Sequence, residues 1–257
     1  MTRKRASARH VIGLLAANAL AVGALLWASG AIPPVSRAGP PLLLIAHRGD
    51  ARTHPENSMA AILAARDGSA DGIEFDVQRS ADGTWWLFHD DTVDRLTGAS
   101  GPFGYLSDDQ VASLRLAGTE QPPPRLRDVV GALQEYGGWV YLDVKELNPT
   151  AAVGAIAEAQ ELPHMRVIVR SVAVAEAIRA AYPSLETLAL TNVRGQESSP
   201  FITTWLANQI EITRPDTVSG KARTVDAFID LGTSDVAGIV ERLSRFGVRA
   251  VITGLPQ

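Results

Sequence analysis

Gly72-Ile73-Glu74-Phe75-Asp76-Val77 alternates apolar and acidic residues, the pattern of a strand with two unlike faces. In a strand, residues two apart face the same way. Glu74 and Asp76 therefore project together, while Ile73, Phe75 and Val77 share the opposite face. A solvated acidic face would leave a half-exposed strand, which such bulky neighbours disfavour. Three further apolar runs carry polar chemistry near their C-terminal ends: Ile45-Ala46-His47-Arg48-Gly49, Leu87-Phe88-His89-Asp90 and Tyr141-Leu142-Asp143-Val144-Lys145. The turn Pro55-Glu56-Asn57 completes the set. Burying such groups without partners costs roughly 2–7 kcal/mol each. Four successive strands that do so point to one shared site.

From Leu42 onward the chain alternates strand-like and helix-like runs. Strands are expected at Leu42–Ala46, Gly72–Val77, Trp85–Phe88, Trp139–Val144, Val167–Arg170, Thr187–Leu190, Ala227–Leu231 and Val248–Thr253. Asp82-Gly83 marks a hairpin-like turn between the second and third. Helices are expected at Ser58–Arg66 with Asn57 as cap, Ser107–Leu116, Leu126–Tyr136, Ala151–Gln160, Val174–Ala181 and Val236–Phe246. Residues 192–223 carry weak periodicity; one helix and a short strand near Gln209–Ile212 are expected there. This alternation implies a parallel α/β sheet, either an open doubly-wound sheet or a closed (β/α)8 TIM barrel. No Gly-x-Gly-x-x-Gly follows the first strand. Chemistry ends at least four strands, as barrel sites require. Both observations favour the barrel, and residues 42–257 satisfy a minimum near ~200 residues.

The 257 residues include 24 basic and 28 acidic side chains, for a net charge of −4. Arg3, Lys4, Arg5, Arg9 and Arg37 lie in residues 1–40, which contain no acid, leaving 19 basic against 28 acidic residues in the remainder. An acidic body argues against nucleic-acid binding, which needs a basic surface, and suits a protein that holds a cation. The absence of cysteine excludes disulfides, thiolate catalysis and zinc–sulfur sites.

The basic cluster before Val11 precedes an uncharged run to Ile32 of about 22 residues, enough to cross a bilayer as a helix. Basic flanks stay cytoplasmic, so the body is expected outside the cytoplasm. The length favours a retained N-terminal hydrophobic helix over a cleaved signal peptide, for which Ala28-Ser29-Gly30 and Ser29-Gly30-Ala31 offer small residues. The expected organisation is residues 1–32 as signal anchor or signal peptide, 33–41 as a proline-rich linker and 42–257 as the barrel.

If Glu74, Asp76 and Asp143 all face the barrel mouth, three carboxylates converge. Oxygen-only ligation selects a hard divalent cation, Ca²⁺ or Mg²⁺. His47 and His89 beside a cation-bound phosphate would serve as general acid and base. Arg48 and Lys145 would neutralise phosphate oxygens. Gly49 allows a sharp turn or close backbone approach. Trp85, Trp86 and Trp139 read as core aromatics, with one of the adjacent pair facing outward, and Ser171 reads as a helix cap.

At these residues the chain resembles the glycerophosphodiester phosphodiesterase family. The match runs through His47-Arg48-Gly49, Pro55-Glu56-Asn57-Ser58, Gly72–Val77, Asp82-Gly83, His89-Asp90, Asp94-Arg95-Leu96-Thr97 and Asp143-Val144-Lys145. Weaker matches lie at Arg170-Ser171-Val172 and Val251–Pro256. The resemblance implies a (β/α)8 barrel with one divalent cation on Glu74, Asp76 and Asp143, His47 and His89 as the acid/base pair, Arg48 and Lys145 on phosphate, and Glu56 in support. It implies cleavage of glycerophosphodiesters to sn-glycerol 3-phosphate and an alcohol, the substrate's own hydroxyl attacking first and water opening the cyclic product.

The chain departs from the family's pattern in four places. Asp143 stands where Glu is usual, as in barrel phospholipases of the sphingomyelinase D type. The stretch after His89 is short, no Trp-Thr-Val-Asn strand is evident, and Gly254 replaces a common Asp. Two other readings follow: a phospholipase D or lyase acting on lysophospholipids or sphingolipids to give a cyclic phosphate, and a noncatalytic membrane-tethered barrel that binds a lipid head group. The expected partners are a small-molecule substrate and, through the N-terminal segment, the membrane.

Overall fold

The computed structural model describes residues 42–190, 204–207, 225–228 and 248–254. Nine strands lie among them: β1 Leu43–His47, β2 Gly72–Arg79, β3 Trp85–Leu87, β4 Trp139–Val144, β5 Met165–Val169, β6 Glu186–Leu190, β7 Thr204–Ala207, β8 Val225–Phe228 and β9 Val248–Thr253. All but β3 pair in parallel, in the ring β1-β2-β4-β5-β6-β7-β8-β9, which closes through β9 on β1. The chain is thus an α/β barrel of parallel strands. The short β3 pairs antiparallel with the end of β2, Val77 opposite Leu87, as a hairpin arm. Five helices are described: α1 Met59–Asp67, α2 Asp108–Ser113, α3 Leu126–Leu133, α4 Pro149–Ala159 and α5 Val172–Ala181.

Alternation along β2 sets the layers. Ile73, Phe75 and Val77 point outward into the main core with Ile62 and Ala65 of α1 and Leu126, Val129 and Leu133 of α3. Each is fully buried, and burying a side chain of this kind contributes roughly 1.5–3 kcal/mol. Inside the barrel, Ile45, Tyr141, Ile168, Leu188, Ala250 and Ile252 form a smaller apolar cluster. On the N-terminal side of Asp143, the Tyr141 hydroxyl donates to Asp226 Oδ2 at 2.9 Å, and Arg166 Nη1 donates to that hydroxyl. Glu186 accepts from Arg166 Nε at 2.8 Å and from Arg249 Nη2 at 2.7 Å. These ion pairs fill the barrel beneath the mouth.

A third cluster is built by the hairpin arm and the segment after it: Trp86, Phe88, Val93, Leu96, Phe103, Val111, Leu114 and Leu116. Phe88 stacks on Phe103 at 4.9 Å. Asp108, at the start of α2, accepts from Ser80 Oγ, Thr84 Oγ1 and Trp86 Nε1, which ties the hairpin to this core. Trp86 corrects an expectation. Both tryptophans of the pair are buried, because residues 93–116 cover the face of β3 that an isolated hairpin would expose. Arg125 stacks over the Trp86 ring at 4.7 Å.

The helix starts follow from their caps. Ser58, not Asn57, caps α1 by accepting from Ala61 N, and Ser171 caps α5. Ser107 and Gln110 form a capping box on α2. Helix α4 begins two residues early because Pro149 fits its first turn and Asn148 caps it. Two helices stop short of expectation: α2 at Ser113, where Leu114 turns extended, and α3 at Leu133 rather than Tyr136. In the poorly periodic stretch a strand is described at Thr204–Ala207, the expected Gln209–Ile212 lies outside the described residues, and the next described strand begins at Val225 rather than Ala227. The expected helix Val236–Phe246 lies outside the described residues, as does the apolar run 11–32. Among the described residues no helix is long and apolar enough to cross a membrane.

Candidate active site

The C-terminal ends of β1, β2 and β4 meet at one mouth. Glu74, Asp76 and Asp143 place carboxylate oxygens within 4.8 Å of one another. All three are buried. Parallel register puts Asp76 beside Asp143 on adjacent strands, with Glu74 two residues below on the same face.

Two side-chain cations enter this acidic cluster. Lys145 Nζ bridges Asp76 Oδ1 at 2.5 Å and Asp143 Oδ2 at 2.9 Å. Arg170, at the end of β5, holds Asp143 through Nη2 at 2.6 Å and Nε at 3.2 Å. Burial pushes the Asp76 carboxyl up, but the charges of Lys145 and Arg48 outweigh it and hold it below the usual carboxylate range. Glu74 has the opposite outcome. Burial, then the charges of Asp76 and Asp143, drive its carboxyl well above that range. Its Oε2 accepts from Arg48 N at 2.9 Å, while its buried Oε1 has no hydrogen-bond partner.

The loop after β1 wraps this centre in strained backbone. Arg48 has φ +58°, Asn57 has φ +57° and Gly49 has φ +76°. Non-glycine residues in the left-handed region are uncommon and concentrate at functional sites. A Cβ on Gly49 would lie 2.6 Å from the Ala61 backbone, so α1 can approach the loop only because this residue is glycine. The turned loop directs Arg48 Nη1 to Glu56 Oε1 at 2.6 Å and its Nε to within 3.4 Å of Asp76 Oδ2. Asn57 reaches Asp76 from the same loop.

His47 ends β1 with Nε2 3.9 Å from Glu74 Oε2. Burial, then the Arg48 charge, lower its pKa to about 4; Asp76 and Glu56 pull upward, and His89 lowers it further. The two imidazoles thus share one electrostatic neighbourhood. His89 follows the hairpin arm, with Nδ1 2.6 Å from Asp90 Oδ1. Beside the carboxylates a cleft opens, lined by Gln78, Arg79, Ser80, Asp91, Lys145 and Glu146.

The structure therefore brings together His47, Arg48, Glu56, Glu74, Asp76, Asp143 and Lys145, with His89 linked through Asp90. Three further participants lie within the quoted motifs but had no role in the site assigned from the sequence: Asn57, read as a helix cap; Arg170, read as a strand end; and Arg95, which pairs with Glu56 and Asp90. The donor set fits a hard divalent cation. It consists of oxygens only, and one of them is buried without a partner on a carboxyl that resists ionisation. A centre of this kind, with cations and imidazoles at its rim, can bind a phosphate diester and move protons on either side of it.

The model of the family described as "Glycerophosphoryl diester phosphodiesterase family" matches residues 47–251. Glycerophosphodiester phosphodiesterase 1 of Homo sapiens is 35% identical over 109 residues, which cover 39% of this chain and 33% of that protein. A glycerophosphodiester phosphodiesterase of Caldanaerobacter subterraneus is 52% identical over 59 residues, covering 23% of this chain and 24% of that one. The matched stretches thus span about a third or less of these curated relatives. Among solved structures, a glycerophosphodiester phosphodiesterase from Agrobacterium tumefaciens superposes with a TM-score of 0.68 at 21% identity, covering 84% of this chain and 97% of that one. An Oleispira antarctica phosphodiesterase in complex with the product sn-glycerol-3-phosphate gives 0.70 at 20% identity, covering 83% and 93%. At these identities the likeness speaks for the fold.

Proposed function

The chain belongs to the glycerophosphoryl diester phosphodiesterase family, and from that premise we propose that it hydrolyses glycerophosphodiesters to sn-glycerol 3-phosphate and an alcohol. The observation that carries this reading is the convergence of Glu74, Asp76 and Asp143 beside two imidazoles. The Oleispira antarctica relative, which holds sn-glycerol-3-phosphate, supports the product assignment by analogy of fold.

In this reading Glu74, Asp76 and Asp143 hold one Ca²⁺ or Mg²⁺. When bound, such an ion offsets the negative charge of the phosphate oxygens and fixes their position. Lys145 and Arg48 supply further positive charge at the same oxygens, and Arg48 brings a planar fork already aimed by Glu56. His47 and His89 act as the acid/base pair. One takes the proton of the attacking hydroxyl and the other gives a proton to the alcohol oxygen as its bond to phosphorus breaks; water then opens the cyclic phosphate, with the two imidazoles exchanging roles, to leave sn-glycerol 3-phosphate. The cleft bounded by Gln78, Asp91, Lys145 and Glu146 receives the alcohol.

The complete (β/α)8 barrel over residues 42–257, the linker 33–41 and an apolar helix within 1–32 that tethers the barrel outside the cytoplasm belong to the same proposal. The test uses the full chain and glycerophosphocholine, with Ca²⁺ or Mg²⁺ and with a chelator. Turnover that needs the cation and releases sn-glycerol 3-phosphate is expected. Accumulating cyclic phosphate would favour the lyase reading. No turnover, together with no rise in melting temperature on adding either ion, would overturn the enzymatic one. Carbonate extraction and N-terminal sequencing of the cell-associated protein test the tether.

A further inference from the structure

We propose that Arg95 is a positioning residue that locks two separate loops together, orienting His89 through Asp90 and Arg48 through Glu56. The inference rests on the phosphodiesterase reading of the site and adds a residue to it.

The guanidinium uses all three nitrogens. Nε donates to Asp90 Oδ2 at 2.6 Å and Nη2 to Asp90 Oδ1 at 2.9 Å. Nη1 donates to Glu56 Oε2 at 2.8 Å and Nη2 also to Glu56 Oε1 at 2.7 Å. Both carboxylates are thus gripped by two bonds each, a geometry only a planar fork provides. Each is shared onward: Glu56 Oε1 also accepts from Arg48 Nη1 at 2.6 Å, and Asp90 Oδ1 lies 2.6 Å from His89 Nδ1. The result is one continuous line, Arg48–Glu56–Arg95–Asp90–His89. Glu56, His89 and Asp90 have the spacing of a metal site, but Arg95 already serves as the cation that pairs the two carboxylates.

The chemistry follows from Asp90. The hydrogen bonds and charge of Arg95 hold its carboxyl well below the usual range and outweigh burial, which pushes it up. An ionised carboxylate only accepts hydrogen bonds. His89 Nδ1 must therefore carry the hydrogen, which leaves Nε2 for proton transfer. Arg95 itself has a firm footing. Val93 and Leu96 are buried in the hairpin-side core, and Thr97 donates through N and Oγ1 to Val93 O. An ion pair at an exposed side chain contributes little to stability, and Arg95 is 49% exposed. Its two bidentate grips form a network on carboxylates that are only 15% and 23% exposed, so they tie the two loops together as well as fixing the orientation of the groups they hold.

The test compares the full chain with Arg95→Met and Arg95→Lys, using ¹⁵N-labelled histidine. Long-range ¹H–¹⁵N spectra read the His89 tautomer, and steady-state assays on glycerophosphocholine with saturating divalent cation read kcat and KM. The parent protein should show His89 protonated at Nδ1. In Arg95→Met the tautomers should mix and kcat should fall by about tenfold or more, a part of the roughly 10²–10⁴-fold that acid/base catalysis contributes, with KM changing less. Arg95→Lys should recover part of the loss. Unchanged tautomer in Arg95→Met would overturn the proposal, as would unchanged kcat in a parent enzyme that turns over. If Arg95→Met fails to fold, Arg95→Lys decides by the same two readings. A parent protein inactive on every diester would overturn the phosphodiesterase reading, while the His89 spectrum would still decide the positioning.

Discussion

Asn57 and Asp76 exchange two hydrogen bonds across the mouth of the barrel. Asn57 Nδ2 donates to Asp76 Oδ2 at 2.8 Å, and Asp76 N donates to Asn57 Oδ1 at 3.0 Å. Both residues are buried. The amide leaves Asp76 Oδ1 directed to Lys145, so the turn after β1 fixes the orientation of a carboxylate on β2.

Asn57→Ala should therefore act on both stability and the ion. It strands a buried backbone N–H, at about 1–3 kcal/mol, leaves Asp76 Oδ2 with only Arg48 Nε at 3.4 Å, and puts alanine at a positive φ. The melting temperature of the ion-free protein should fall. Divalent-cation affinity, measured calorimetrically, should weaken about 10–100-fold, as for lost partners of metal ligands. An unchanged affinity would refute the role assigned to this pair.

Glu74→Gln should separate folding from ion binding. Glu74 resists ionisation when no ion is present, so a neutral amide of the same shape costs little. It can still accept from Arg48 N and present its NH₂ to the neighbouring carboxylates. The ion-free protein should melt within a few degrees of the parent or above it. The rise in melting temperature on adding Ca²⁺ or Mg²⁺ should disappear. A full rise in the variant would remove Glu74 from the ligand set.

Arg170 competes with any ion for the oxygens of Asp143. Arg170→Met should destabilise the ion-free protein by about 1–3 kcal/mol, the usual cost of stranding a charged hydrogen-bonded group. It should also enlarge the stabilisation that added Ca²⁺ or Mg²⁺ provides, because a positive charge has left the site. Thermal melts with and without the ion read both effects. A smaller ion-induced shift in the variant would instead mean that Arg170 holds Asp143 in its ligating pose.

Acid should loosen the loop clamp. Burial raises Glu56, but Arg95 and Arg48 outweigh it, so its carboxyl, like that of Asp90, is depressed in the folded protein. A depressed carboxyl stabilises the fold above its unfolded pKa, about 3.9 for Asp and 4.3 for Glu. That stabilisation is lost as pH falls from there towards the lower folded values. Carboxyl ¹³C titrations should give midpoints below the ordinary ones for both residues. In Arg95→Met both should move back up. Midpoints insensitive to Arg95 would contradict the geometry.

Much of the barrel was legible because buried parallel strands leave continuous apolar runs, and polar residues at their ends stand out. Glu74 with Asp76, and Asp143 with Lys145, could be assigned to shared faces because strand periodicity is strict. The roles of Asn57 and Arg170 were not legible. Asn before Ser at a helix start reads as a cap, and its actual partner lies on another strand. Arg170 reads as a strand boundary until Asp143 is placed beside it. Thr204–Ala207 was not picked out because a four-residue strand leaves too few positions for a period, and the burial of both tryptophans because the cover of Trp86 comes from residues 93–116. The segment before Leu42 lies outside the described residues, and its expected helix awaits the extraction experiment.

The stacked Phe88–Phe103 core has a consequence for how such a protein can diverge. One imidazole is carried by the barrel wall, the other by a small annex with its own apolar interior. Substitutions among residues 93–116 act on that annex, whereas Glu74, Asp76 and Asp143 stand on strands of the eight-strand ring. The placement of one imidazole is thereby mechanically separate from that of the three carboxylates.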